Sequence, residues 1–88
     1  MHLLRRGVLR RTVLRLAREG HLTADQAKAA LRPRALSALN SRLDAKVLTE
    51  PKPARVLGLG DGKLLEWLWA NKEELLAFIL EIIKLFKS

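Results

Sequence analysis

The sequence predicts an all-α chain of about four helices, and three observations carry that prediction. Apolar residues recur at steps of three and four, as in Leu36, Leu39, Leu43 and Val47. Thr23 and Gln26 have the spacing of a capping box, with Leu22 and Ala27 placed as its hydrophobic staple. The stretch Asp61 to Ser88 confines most of its polar residues to one narrow helical stripe. The helices are expected at roughly 3–19, 23–32, 34–48 and 62–87. They comprise an N-terminal basic helix, a central helical hairpin and a long, apolar to amphipathic C-terminal helix.

The first helix joins Leu9, Val13, Leu16 and Ala17 on one face and sets Arg11, Arg15 and Arg18 on the opposite one. Arg5 and Arg6 fit neither face. Gly7 weakens the first turns by up to about 1 kcal/mol relative to Ala. Glu19-Gly20 ends the helix, with Gly20 as the left-handed residue after it. The second helix is short, because Arg32 precedes Pro33 and is pushed out of the α region. Pro33 then suits the first turn of the third helix.

Residues 51–60 form a Pro/Gly linker between a basic helical region, 1–50, and a C-terminal assembly helix, 61–88, within one small domain. Pro51-Lys52-Pro53 reads as stiff and extended. Val56 to Gly60 reads as a short extended strap. Gly58, Gly60 and Gly62 are turn residues. Gly62-Lys63 is followed by Leu64 and not by the Ser or Thr of a Walker loop.

In the last helix Asp61 is the expected N-cap, and Asn71 and Lys72 stand off the polar stripe. Sixteen of the 23 residues from Leu64 to Phe86 are apolar, far more than the ~100° stripe of a one-sided helix. A lone membrane span is disfavoured. Lys72, Glu73 and Glu74 near the middle cost roughly +2.5 to +3.5 kcal/mol each, against roughly −0.3 to −0.6 for each Leu, Ile or Phe. Trp67 and Trp69 point about 160° apart on one helix, so a single packing face does not hold both. Leu64, Trp67, Trp69, Leu75, Phe78, Ile79, Ile82 and Leu85 are therefore the candidate interface residues.

Charge separates the two halves. The 88 residues carry a net charge of +8. Residues 1–50 hold 11 basic against 4 acidic side chains, and residues 51–88 hold 6 against 5. Six arginines precede the first acid, Glu19. That segment has three readings: a solvated amphipathic helix, a polyanion-binding arm whose guanidinium groups fork onto phosphates, or a mitochondrial targeting helix, for which it lacks serine. The nucleic-acid candidates are Arg5, Arg6, Arg10, Arg11, Arg15 and Arg18.

Catalysis finds no constellation in the sequence. His2 is terminal and His21 follows a helix-ending glycine. There is no cysteine, no metal-ligand spacing and no Ser beside a His. Glu73 and Glu74 point about 100° apart. No cofactor or metal is expected. Trp69-Ala70-Asn71-Lys72 resembles leaderless bacteriocins over those residues alone. The Arg-rich half and the glutamates depart from that pattern, and no residue role is carried across.

The sequence therefore reads as a non-enzymatic structural or assembly protein. It oligomerises or docks on a partner through the last helix and touches nucleic acid, without sequence preference, through its basic half. A minor structural protein of a virus or phage particle is one such context. The alternatives are a membrane-surface-active amphipathic protein, bacteriocin- or holin-like, and a small DNA-binding regulator. The regulator would read bases with Asn40, Ser41 and Arg42 across a turn, Leu31 to Arg34, that lacks glycine.

Overall fold

A computed structural model describes residues 6–52, 56 and 58–87, with the side chains of Arg6 and Lys87 left out. Among these residues the chain is all-helical, with five helices and no strand. They are α1 (Arg6–Arg18), α2 (Ala24–Ala30), α3 (Pro33–Leu48), α4 (Asp61–Ala70) and α5 (Lys72–Lys87).

The first turns follow the local sequence closely. Gly20 takes φ 86°, the left-handed residue that lets the chain leave α1. His21 N–H donates to the Leu16 carbonyl at 2.8 Å and Gly20 N–H to Ala17 at 3.1 Å, the paired bonds of a Schellman ending. Thr23 and Gln26 exchange both capping-box bonds, at 2.9 and 3.1 Å. Leu22 and Ala27, the staple pair, are both buried. Arg32 is extended, at φ −63° and ψ 143°, and Pro33 opens α3.

The C-terminal stretch departs from expectation. One helix over 62–87 is corrected to two, broken at Asn71, which raises the count from four to five. The Asn71 side chain donates from Nδ2 to the Trp67 carbonyl at 2.8 Å, sharing that acceptor with its own backbone N–H at 3.1 Å, while its backbone leaves the helical region at φ −107° and ψ 24°. Its own carbonyl accepts from Leu75 N–H at 3.1 Å, so the residue that closes α4 also opens α5. Glu73 and Glu74 then fall in the first turn of α5, where the helix dipole favours acids. A second correction concerns the start of α4. Gly60 is its N-cap and Asp61 its first residue. The expected strap is replaced, among its described residues, by a turn in which Leu59 N–H donates to Val56 at 3.1 Å.

The break changes what the apolar stretch can bury. α4 lies against α1, while α5 runs along α3 and touches α2. Lys46 pairs with Glu74 at 2.7 Å, and Arg42 pairs with Glu81. As α3 advances from Arg42 to Lys46, its partners on α5 run backwards, so the two helices are antiparallel. The core takes Leu9, Val13 and Leu16 from α1, and Leu36, Leu39 and Leu43 from α3. Leu64 and Leu68 join it from α4, and Leu75, Ile79 and Ile82 from α5. Each such side chain contributes roughly 1.5–3 kcal/mol when fully buried. Ala27 and Ala30, the buried residues of α2, let neighbouring helices approach closely. The Cα radius of gyration is 12.3 Å, about that of a compact chain of this length, so the C-terminal stretch is folded back and not projected as an arm. No helix among the described residues is long and apolar enough to cross a membrane.

Candidate polyanion site

α1 is buried along Val8, Leu9, Thr12, Val13 and Leu16. The Thr12 hydroxyl is satisfied within the helix, donating to the Val8 carbonyl at 2.9 Å. With that side fixed to the core, Arg11, Arg15 and Arg18 are exposed on the other. They occupy positions i, i+4 and i+7, one row along the helix. Arg10 is exposed as well, about 100° round from Arg11. Arg5 lies outside the described residues, as does the side chain of Arg6.

The Arg row borders a cleft between α1 and α4. Arg11, Thr12, Leu14, Arg15, Arg18, Leu65 and Trp69 line its volume of about 310 Å³. The Arg15 guanidinium lies over the Trp69 ring, with its carbon 3.8 Å from the centroid. Arg15 Nε also donates to Glu19 Oε2 at 2.9 Å. Lys72 places its ammonium 5.5 Å from the same ring centre. His21 meets the ring edge-on, with centroids 6.2 Å apart and planes at 71°. One half-buried indole is thus surrounded by cations from α1 and from the start of α5. Cation–π pairing of this kind is worth about 0.5–1 kcal/mol at exposed sites.

The candidate interface residues divide by burial. Leu64, Leu75, Ile79 and Ile82 belong to the chain's own core, and Trp67, Trp69 and Phe78 are half-buried against it. Leu85 is exposed at 63% and Phe86 beside it at 45%, while Leu80, also 45% exposed, lies about 140° round α5 from Leu85. Both tryptophans find cover because α4 has neighbours on more than one side, so their divergent directions need no second chain. Trp69 is the residue that reassigns itself: expected at an interface, it stands beside the Arg row. Lys72, His21, Leu14 and Leu65 join the site without having been singled out for it. The cue in the sequence was the pair Asn71-Lys72 off the polar stripe.

A second groove, of about 660 Å³, lies where the α2–α3 corner meets the end of α5. Arg32, Arg34, Ile83 and Phe86 are among the residues that line it, and Arg34 stands 5.8 Å over the Phe86 ring. On α3 Asn40 is buried, the Ser41 hydroxyl donates to Ser37, and Arg42 is engaged with Glu81. Among the described residues no three His, Asp or Glu side chains group as metal ligands would. Comparison with protein-family models, curated proteins and solved structures found no match.

Proposed function

We propose that this chain is a non-enzymatic helical protein that binds nucleic acid through the exposed face of α1 and assembles through the end of α5. The observation that carries the binding reading is the row Arg11, Arg15 and Arg18, held outward by a helix whose opposite side is core. Guanidinium groups fork onto phosphate oxygens. A rigid row of them reads the backbone and not the base sequence, so affinity is sequence-tolerant and falls with salt. The assembly reading rests on Leu85 and Phe86, exposed neighbours in the last turn of α5 and a smaller surface than the sequence suggested. Base readout from α3 gains no support, since Asn40 is buried and Arg42 is engaged with Glu81.

Fluorescence anisotropy with labelled DNA and RNA of unrelated sequences tests the binding reading. All should bind alike at low salt, and changing Arg11, Arg15 and Arg18 together to Gln should weaken all alike. Strong preference for one duplex sequence at physiological salt would favour a regulator instead.

A further inference from the structure

We propose that the cleft between α1 and α4 seats one unstacked nucleobase, so that the protein prefers single strands to duplexes. The inference rests on the nucleic-acid reading above and adds a ligand class to it. A face that touched phosphates alone would need only its cations. This one also has an apolar wall, formed by Leu14, Leu65 and Trp69, directly beside the Arg row. Leu14 is exposed at 47% in the middle of that row, a position an electrostatic face gains nothing from. As the lip of a base seat it is covered when ligand is bound.

The Arg15–Trp69 pair supplies the platform. A guanidinium 3.8 Å above an indole is held in place by the ring below, while its side chain stays 45% exposed. Bases splayed from single strands stack on arginine planes as well as on aromatic rings. With a base on Arg15, Arg11 and Arg18 lie on either side of it along α1, placed for the flanking phosphates. A duplex keeps its bases stacked inward and offers the same row only phosphates.

The test uses the full chain carrying Trp67→Phe, so that Trp69 alone reports. Three probes are titrated at one salt concentration: a short thymidine single strand, the same strand with abasic sites throughout its centre, and a duplex of equal length. The seat predicts quenching of Trp69 by the intact strand and binding roughly tenfold tighter than to the abasic strand, the scale of one base stacking on a side chain. Adding Trp69→Leu, with helicity checked by circular dichroism and affinity read by anisotropy of end-labelled probes, should erase that difference while phosphate-driven binding persists. Equal affinity for intact and abasic strands would overturn the base seat and leave the phosphate reading standing. Binding to none of the three probes would overturn both.

Discussion

Arg15 on α1 and Trp69 on α4 form the closest cation–π contact described in this fold, 3.8 Å from guanidinium carbon to ring centroid. The contact is tripartite, because Glu19 accepts from the same guanidinium at 2.9 Å. Glu19 therefore occupies one guanidinium donor, Nε, and sets a negative charge beside the Arg row that binds the polyanion. Both partners of that ion pair are 45% exposed, so its contribution to stability is small, about 0–1 kcal/mol.

Glu19→Gln should therefore tighten binding to nucleic acid while leaving the fold alone. The expected gain is about two- to fivefold, together with a change in unfolding free energy of about 1 kcal/mol or less. Anisotropy and urea denaturation on the same sample measure the two. Weaker binding in this variant would mean that Glu19 orients Arg15 for the ligand and does not compete with it.

Asn71→Ala tests the break between α4 and α5. Alanine has the higher helix propensity, so in one continuous helix the change would stabilise the protein. In the observed arrangement it removes the Nδ2 bond to the Trp67 carbonyl, and the expected cost is about 1 kcal/mol. Urea denaturation reads the sign directly. A gain in stability would argue for a single unbroken helix.

The end of α5 separates packing from assembly. Ile82 is 2% exposed, and Ile82→Glu buries a charge without a partner, so it should unfold the chain. Leu85→Glu with Phe86→Glu lies on exposed positions and should leave helicity intact. If the end of α5 joins copies, light scattering at high micromolar concentration should find wild type associated and this double variant monomeric. A monomeric wild type under those conditions would remove self-association from the account.

What the sequence revealed and what it hid divide along physical lines. Gly20, the Thr23/Gln26 box and Pro33 act through neighbours a few residues away, and all three turns could be read from local chemistry. The row Arg11, Arg15 and Arg18 was legible for the same reason, since helical period alone sets it on one face. Asn71 was harder, because its side-chain amide and its backbone N–H both bond the Trp67 carbonyl, an arrangement set by geometry and not by residue type. Leu64, Leu75, Ile79 and Ile82, read from the sequence as candidate interface residues, lie in the chain's own core. Leu9, Val13 and Leu16 of α1 help to cover them, and reading the C-terminal stretch as one rod fixed its two halves in a common direction. The meeting of Arg15 with Trp69 depends on that break and on the return of the chain through the linker, so no local pattern announced it.

The most direct test of the central claim is the salt dependence of single-strand binding by wild type and by the R11Q/R15Q/R18Q variant. Each phosphate neutralised contributes about −0.7 to the slope of log K against log salt concentration for single strands. With Arg15 under a base and Arg11 and Arg18 on flanking phosphates, the variant should bind more weakly at every salt concentration, with a slope shallower by about 1.4. An unchanged slope in a folded variant would contradict the claim that this face of α1 holds the polyanion.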